Sequence, residues 1–301
     1  MLVLGGPEDA HARAVEQALR ACGAEADYLD LAQLPSAGAV SLRLPQPSGQ
    51  LRLPSGRTVA LEGLRAVFWR LVRTPRPPAG LRPELHPLVE RDTRRAVEAF
   101  LAALPCPVVN PAEAVAAHRL KPTQLAVAAA LGLPVPATLV SNDPSAVRRF
   151  AAEHPEGVVV KPVGGGAYAR LLQPQDLQRH RDMAACPMQY QAYVPGQDVR
   201  VYVIGEQVLA GRIVRGDPGP VDFRRDPHHR SEPIALSAAE ARRCVEVARA
   251  LGQRFSGLDF RHNPRDGLVF LEANPSPMFL RFQADTGLPV LPHLVELLLS
   301  A

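Results

Sequence analysis

The sequence predicts an α/β protein in which an N-terminal α/β lobe is followed by two α+β lobes. The chain opens with a short buried strand at Leu2–Gly5, a Gly-Gly turn and a helix over residues 8–22. Strand and helix patterns then alternate, and the C-terminal part adds paired strands joined by short turns. A length of 301 residues suffices for two or three lobes with cores of their own.

Local signals indicate the remaining elements of the first lobe. A β-hairpin or an ordered loop is expected in residues 35–57, where short alternating pieces flank Pro45–Gly49. A buried strand is expected at Ala66–Arg70, followed by a helix at Leu88–Leu104 and a short strand within Pro105–Asn110. We place the three lobes at residues 1–112, 113–190 and 191–301.

Caps and turns mark the elements of the other two lobes. Asn142–Ser145 caps a helix that runs to Ala152, and Ser237 caps a helix that runs to Leu251. Further helices are expected within residues 112–132 and at 289–299. The expected strands are 137–141, 157–162, 188–194, 198–204 and 207–214, with a hairpin of 257–261 and 268–274.

The composition excludes several classes of protein. Hydrophobic residues make up 47% of the chain and no run of about 18 apolar residues occurs, so we expect a globular protein without a membrane span. The N-terminus lacks a signal-peptide pattern, which predicts a cytoplasmic protein. The four cysteines form no CxxC pair, which argues against a zinc site or a disulfide framework. A net charge of +4 without a basic run argues against nucleic acid as a partner.

Lysine is rare in this chain. Lys and Arg total 34, and only Lys121 and Lys161 are lysines. The chain thus uses arginine in place of lysine almost everywhere. A lysine that remains can occupy a position that needs a compact ammonium, for example at a phosphate. The planar guanidinium of Arg does not replace the ammonium there. The alternative is chance retention on a solvated surface.

Two carboxylates and an amide are predicted to converge on the C-terminal hairpin. With a turn centred on Arg265–Asp266, Asp259 faces Glu272 and Arg261 faces Phe270 across the hairpin. Asn274 lies two residues after Glu272 and therefore on the same strand face. Oxygen ligands in such an array suit Mg²⁺. The alternative is a solvated polar face, although unpaired carboxylates are costly in otherwise apolar strands.

Two further segments suit a nucleotide. Lys161 ends a strand and precedes the glycine-rich loop that contains Gly164, Gly165 and Gly166, which could cover phosphates. The extended segment from Gln191 to Arg200 could pair with an adenine edge through its backbone. Asp198 is then placed for ribose hydroxyls and Arg200 for a phosphate, the alternative being an ordinary Asp–Arg surface pair.

From about Asn110 to the C-terminus the chain resembles the ATP-grasp superfamily, most of all the RimK-type ligases and the microviridin-type ATP-grasp peptide maturases. The pieces that carry the resemblance are His118–Leu125, Gly132–Asp143, Val160–Pro162, Gln191–Gly205, Asp222–Arg224, Gly257–Arg261 and Phe270–Pro275. The resemblance implies a pre-ATP-grasp N-terminal lobe followed by a two-lobed α+β ATP-grasp fold. It also implies an ADP-forming ligase that uses ATP and Mg²⁺.

The resemblance assigns a role to each matching residue. Lys121 and Lys161 would bind nucleotide phosphates and Asp198 the ribose. Gln191, Ala192 and Val194 would form the adenine hinge, largely through backbone groups. Asp259, Glu272 and Asn274 would hold Mg²⁺. Arg200, Arg212 and Arg224 would stabilise the transferring phosphoryl group and the acyl phosphate.

The implied reaction joins a carboxylate to an amine or a hydroxyl through an acyl phosphate, with a peptide or an amino acid as the substrate. A nucleotide sensor without turnover and a small-molecule kinase are the alternatives on the same fold. Ala192 stands where these families often have Glu, and Pro275–Met278 departs from the maturases. Homodimerisation stays open, as does substrate contact by Arg70, Arg73, His228 or His229.

Overall fold

The computed structural model describes residues 1–164, 168–216, 226–263 and 265–300. The elements of the N-terminal part are β1 (Leu2–Leu4), α1 (Ala10–Ala21), β2 (Asp27–Leu29), β3 (Ala39–Arg43), β4 (Ser48–Arg52), β5 (Thr58–Ala60), β6 (Val67–Trp69), α2 (His86–Ala102) and β7 (Val108–Val109). The middle part contains α3 (Ala112–Ala117), α4 (Lys121–Ala130), β8 (Thr138–Ser141), α5 (Pro144–Glu153), β9 (Val158–Pro162), β10 (Arg170–Leu171), α6 (His180–Ala185) and β11 (Met188–Ala192). The C-terminal part contains β12 (Gln197–Ile204), β13 (Gln207–Val214), β14 (Arg230–Ile234), α7 (Ala238–Ala250), β15 (Phe255–Asn263), β16 (Gly267–Asn274), α8 (Leu280–Thr286) and α9 (Val290–Leu299).

The first lobe contains a parallel sheet with strand order β2-β1-β6-β7. Its strands are short and apolar, and all three residues of β1 are buried. Asp9 begins α1 as an N-cap, because its side chain accepts hydrogen bonds from the N–H groups of His11 and Ala12. The hairpin expected in residues 35–57 is confirmed as β3 and β4, to which β5 adds a third antiparallel strand.

The middle lobe is a four-stranded sheet of order β10-β9-β11-β8. One face packs on α5 and α6 in a small core. That core contains Val147, Val158, Val160, Met183 and Tyr190. Because side chains alternate along a strand, Lys161 and Gln191 lie on the opposite face.

The third lobe is an antiparallel sheet of order β14-β13-β12-β15-β16. One face packs on α7 and α4, where Val201, Leu258 and Phe270 contact Leu125 and Val247 in one core. The predicted N-cap of α7 is confirmed, since Ser237 and Glu240 form a reciprocal capping box. The lobe boundaries at residues 112 and 190 stay predictions.

The register of β15 and β16 differs in part from the expectation. Asp259 pairs with Glu272 as predicted. The prediction that Arg261 pairs with Phe270 is wrong, and Arg261 pairs with Val269 instead. An irregularity between Asp259 and Phe260 shifts the ladder by one residue. An extra residue of this kind is a β-bulge, and the alternation of side chains does not reveal it in advance.

The first and third lobes share one hydrophobic core. Val3, Leu19 and Phe68 of the first lobe belong to the same buried cluster as Tyr202 and Phe255 of the third lobe. Helix α9 packs against α1 at this junction. Strand β14 and helix α8 were not expected from the sequence. Among the described residues, no helix has the length and apolar character needed to cross a membrane.

Candidate active site

A cavity of about 620 Å³ lies between the middle sheet and the five-stranded sheet of the third lobe. Its middle-lobe wall includes Val159, Lys161 and Gln191, and its opposite wall includes Arg200 and Glu272. Ten residues predicted for the site line this cavity: Lys121, Lys161, Gln191, Ala192, Val194, Asp198, Arg200, Asp259, Glu272 and Asn274. Segments far apart in the sequence therefore converge on one space, as their proposed roles require.

The two lysines reach the cavity from different elements. Lys121 is the first residue of α4, where Pro122 suits the first helical turn, and its Nζ donates a hydrogen bond to Glu272. Lys161 lies on β9, and its Nζ is 3.2 Å from Oε1 of Gln191 on the neighbouring strand. Both ammonium groups act electrostatically on Glu272, so both lie near the same carboxylate.

Three oxygen-bearing side chains form the floor of the cavity. Asp259 and Glu272 are direct cross-strand partners, and Asn274 follows on the same face of β16 as Glu272. The Oδ1 atom of Asn274 accepts a hydrogen bond of 2.9 Å from the N–H of Ser276, which fixes the amide. The array is anchored on the sheet rather than on a loop.

Cations compensate both carboxylates in this structure. Arg200 binds Asp259 through two hydrogen bonds, Nε to Oδ1 at 2.6 Å and Nη2 to Oδ2 at 3.1 Å. Burial raises the pKa of Asp259 to about 6, assisted by the charge of Glu272 and opposed by Arg200. Burial also disfavours the charged form of Glu272, but Lys121 and Lys161 outweigh it and hold its pKa low, at about 2. Burial thus raises the pKa of one carboxyl, whereas the lysines lower the pKa of its neighbour.

The oxygen set fits a small divalent cation. Two carboxylates and one amide oxygen, on adjacent strands, are the hard ligands that Mg²⁺ prefers. The described ranges contain no group of three or more His, Cys, Asp or Glu side chains suited to a metal. Asp259, Glu272 and Asn274 are the residues that would hold such a cation, and Mg²⁺ commonly takes few protein ligands.

The segment predicted as the adenine hinge is bound by Arg261, an arginine that the sequence did not indicate for the site. Nε of Arg261 donates to the Val194 carbonyl oxygen at 3.0 Å, and Nη1 donates to Oδ1 of Asp198 at 2.9 Å. Arg215 approaches the other oxygen of Asp198 at 3.0 Å. The N–H of Ala192 donates a hydrogen bond of 2.9 Å to the carbonyl oxygen of Ala137. Two arginines thus fix Asp198 at the edge of the cavity.

Arg212 and Gly164 do not line this cavity. Arg212 pairs across β12 with Val199, so its side chain lies on the opposite face of the sheet from Arg200, where it binds Glu232 at 2.6 Å. Gly164 lies in the turn after β9. Gly165, Gly166 and Arg224 lie outside the described residues, and the roles given to all five stay predictions.

Other lining residues were not predicted as part of the set: Tyr202, Arg215, Ser231, Arg261, Met278 and Arg281. In the structure Ile213 pairs with Asp198, and Arg215 shares the face of Ile213 because it lies two residues further along. Arg281 follows the hairpin on α8, and Nη2 of Arg281 donates to the Pro227 carbonyl oxygen at 3.2 Å. No local pattern in the sequence indicates that contact.

The four residues left open are placed as follows. Arg70 is largely buried and donates to Oγ of Ser276 at 2.8 Å, and Arg73 binds Asp30 at 2.9 Å. His229 lines the cavity, whereas the cavity lining does not include His228. The two first-lobe arginines therefore serve contacts within the protein.

Residues 116–298 match the RimK-like ATP-grasp domain. A structure of the ATP-grasp ligase PsnB complexed with a phosphomimetic variant of minimal precursor, Mg and ADP is similar, with a TM-score of 0.83 and 33% identity, covering 99% of this chain and 97% of that chain. The macrocyclase MdnC of Microcystis aeruginosa MRC, bound with precursor peptide MdnA, has a TM-score of 0.87 and 25% identity, and each chain is covered completely, at 100%.

Curated relatives match over shorter stretches. A protein named "Probable alpha-L-glutamate ligase 2" from Shewanella amazonensis is 33% identical over 103 residues, which are 34% of this chain and 33% of the relative. The match thus spans about a third of the length of that relative. The ATP-grasp fold and the α/β class expected from the sequence are confirmed.

Proposed function

The chain belongs to the RimK-like ATP-grasp family, and from this premise we propose that it is an ADP-forming ligase that joins a carboxylate to an amine or a hydroxyl through an acyl phosphate. ATP and Mg²⁺ are its proposed cofactors, and a peptide is its proposed substrate. One observation carries the proposal: a single cavity is lined by the cations Lys121, Lys161 and Arg200 and by the oxygen-bearing side chains of Asp259, Glu272 and Asn274.

The cavity has the polarity of a nucleotide site from one end to the other. At the hinge, the carbonyl oxygen of Val194 is already bonded to Arg261, so Val194 would offer its N–H to the adenine. Asp198 lies on β12, a few residues after Val194, and would accept a hydrogen bond from a ribose hydroxyl. The two lysines lie further in, where the phosphates would follow, and a point charge there offsets phosphate charge.

Binding would exchange the partners of the charged groups. Arg200 and Lys121 now neutralise Asp259 and Glu272, and a buried carboxylate that loses its cation without replacement is costly. Asp259, Glu272 and Asn274 would hold Mg²⁺, which would supply positive charge in place of these cations. Arg200 and Lys121 could then turn to the phosphates, so that no buried charge is left unpaired.

The proposed chemistry needs positioning and charge compensation more than a protein nucleophile. A carboxylate oxygen of the substrate attacks the γ-phosphorus, the bond to ADP breaks, and an acyl phosphate forms. The amine or hydroxyl then attacks the acyl carbon, phosphate leaves and the nucleophile loses a proton. Arg200 and the lysines would stabilise the negative charge that builds up on the transferred group.

The peptide substrate is supported by the relatives. PsnB is described with a minimal precursor and MdnC with a precursor peptide, at identities of 33% and 25% over nearly whole chains. Arg215, His229 and Arg281 also line the cavity, and the two guanidinium groups would favour an acidic side chain. We therefore propose a carboxylate on a peptide, with the nucleophile on the same or another peptide.

Trapping with hydroxylamine tests the proposal. The protein is incubated with ATP, Mg²⁺ and a panel of glutamate, oligoglutamate and acidic peptides that also contain Ser, Thr or Lys, and hydroxylamine is added. Hydroxamate together with ADP is the expected result. A stable phosphorylated product would instead indicate a kinase, and ATP that binds without ADP release would indicate a sensor. Reactions without Mg²⁺ are the control.

A further inference from the structure

Strand β16 carries Glu272 and Asn274 at the edge of the five-stranded sheet. The outer backbone groups of an edge strand have no neighbouring strand to bind. Ala273, which lies between the two candidate ligands, has no solvent exposure. Its N–H and C=O groups therefore need partners from outside the sheet, because a buried unpaired backbone group is costly.

The side chain of Gln124 supplies those partners. Its Oε1 accepts the Ala273 N–H at 2.8 Å, and its Nε2 donates to the Ala273 carbonyl oxygen at 3.1 Å. Nε2 also donates to the His118 carbonyl oxygen at 3.1 Å. Nδ1 of His118 lies 2.7 Å from the Ala273 oxygen and must carry a proton there, since a carbonyl can only accept. The amide of Gln124 thus replaces one residue of a missing neighbour strand.

Helix α4, which carries Gln124, also carries Lys121, one of the two lysines proposed to bind phosphate. Lys121 begins α4, and Gln124 follows three residues later on the same helix face. Lys121 bonds the carboxylate of Glu272 while Gln124 bonds the backbone of Ala273. One helical turn therefore holds two consecutive residues of the strand. Gln124 is 1% exposed, so water does not compete for these bonds.

We propose that Gln124 is a positioning residue that sets the distance between the Lys121 ammonium and the Glu272–Asn274 oxygens. This inference rests on the proposed function. Lys121 and the strand oxygens must keep a fixed separation if they are to hold the phosphate and the cation of one nucleotide complex. Rotation of α4 or slippage of β16 would change that separation, and the two-point bond at Ala273 prevents both movements.

A purely structural role would lower stability and leave the cooperation between cation and nucleotide intact. A positioning role would lower that cooperation itself. The quantity that separates the two is the ratio of ADP affinities measured with and without Mg²⁺, because this ratio reports the coupling between the two ligands. Outer hydrogen bonds that orient metal ligands are commonly worth about tenfold or more in metal affinity.

The experiment compares Gln124→Met with Gln253→Met. Methionine keeps the approximate shape of glutamine and removes its hydrogen bonds. Gln253 is a matched control, because it is 4% exposed, accepts a bond from Ser256 and does not line the cavity. ADP is titrated calorimetrically into each full-length protein with and without Mg²⁺, and urea unfolding gives the stability of each variant.

We expect both variants to lose stability and only Gln124→Met to lose Mg²⁺–ADP coupling, by about tenfold. Equal coupling in Gln124→Met and the parent protein would overturn the inference. If Gln124→Met does not fold, Gln124→Asn takes its place: it keeps the amide on a shorter stem, and unchanged coupling there has the same meaning. A parent protein that binds no ADP, with or without Mg²⁺, would instead contradict the proposed function.

Discussion

The two walls of the cavity belong to parts of the molecule that are built differently. The wall with Arg200 and Glu272 belongs to a body in which the first and third lobes share one hydrophobic core, joined by buried side chains such as Phe68 and Phe255. The wall with Lys161 and Gln191 belongs to the middle lobe, whose own core is small and separate.

From this difference we expect the middle lobe to be the part that is able to move. Opening a hydrophobic core exposes apolar surface to water, which costs about 25 cal/mol of free energy per Å². The shared core therefore resists separation of the first and third lobes. The middle lobe can tilt without opening that core. We therefore expect Lys121 to be held in place with the carboxylates, and Lys161 to approach a bound nucleotide as the middle lobe closes.

The largest expected effect is a loss of stability in the core that the first and third lobes share. Phe255 is fully buried and packs against the rings of Phe68, Tyr202 and Phe279. Phe255→Ala should lower the free energy of unfolding by about 3–5 kcal/mol. Val147→Ala in the middle lobe should cost less and speed amide exchange mainly in α5 and β9, measured by hydrogen–deuterium exchange. Equal costs, with exchange spread over the whole chain, would show that the two regions are not separate.

The next effect is a loss of ligase turnover when either lysine is replaced. Lys161→Met and Lys121→Met should each lower ligase turnover by about 10²–10³, because each removes a charge that faces the transferring group. Lys161→Met should leave unfolding of the shared core unchanged, whereas Lys121→Met also leaves Glu272 without its cation. Turnover and urea unfolding are measured for both. Turnover unchanged in either variant would remove that lysine from the mechanism.

A smaller loss of stability is expected at Gly257, whose backbone lies close to the side chain of Arg200. An added Cβ at Gly257 would lie 2.7 Å from Cβ of Pro277 and 3.1 Å from Nη1 of Arg200. Gly257→Ala should destabilise the protein by about 1–3 kcal/mol and displace Arg200, lowering turnover more than ADP binding. Gly63→Ala is the control, since nothing lies within 4 Å of an added Cβ there. Identical unfolding curves for the two variants would contradict this packing.

The smallest effect concerns pH at the junction of the first lobe with α8. Nδ1 of His11 accepts N–H groups of Phe279 at 3.2 Å and Leu280 at 3.4 Å, so the ring must be neutral. Burial lowers the pKa of His11 from 6.5, helped by Arg70 and opposed by Asp9. The unfolded chain therefore binds more protons as pH falls below 6.5, and stability is lost towards the lower folded pKa.

Urea unfolding from about pH 7.5 down to about pH 5.5 measures this loss against His11→Gln, which cannot titrate. We expect the parent protein to lose a few tenths of a kcal/mol to about 1 kcal/mol more than the variant, after allowance for solvent screening. A parallel pH dependence of the two proteins would exclude His11 as the cause.

Sequence patterns predicted the local parts of this structure and missed the long-range ones. The strand carrying Lys161 and the pairing of Asp259 with Glu272 followed from alternation and turn chemistry. The bulge after Asp259 did not, since an inserted residue leaves the apolar pattern readable in more than one register. The sequence named Arg212 and did not indicate Arg215, because the face of β13 depends on its pairing with β12, which the sequence alone does not give.

The shared core was equally out of reach. Its members come from both ends of the chain, and apolar periodicity shows that a face is buried without showing what covers it. The same holds for Gln124 and Arg261, whose partners lie 149 and 67 residues away in the chain. Polar side chains that bind distant backbone groups carry no local signature.

The most direct test is a crystal structure of the protein with Mg²⁺ and a non-hydrolysable ATP analogue. We predict adenine at the hinge of Gln191–Val194, phosphates between Lys121 and Lys161, and the cation at Asp259, Glu272 and Asn274. A cavity that stays empty at saturating nucleotide, or a nucleotide bound elsewhere, would contradict the assignment of this cleft as the site of the reaction.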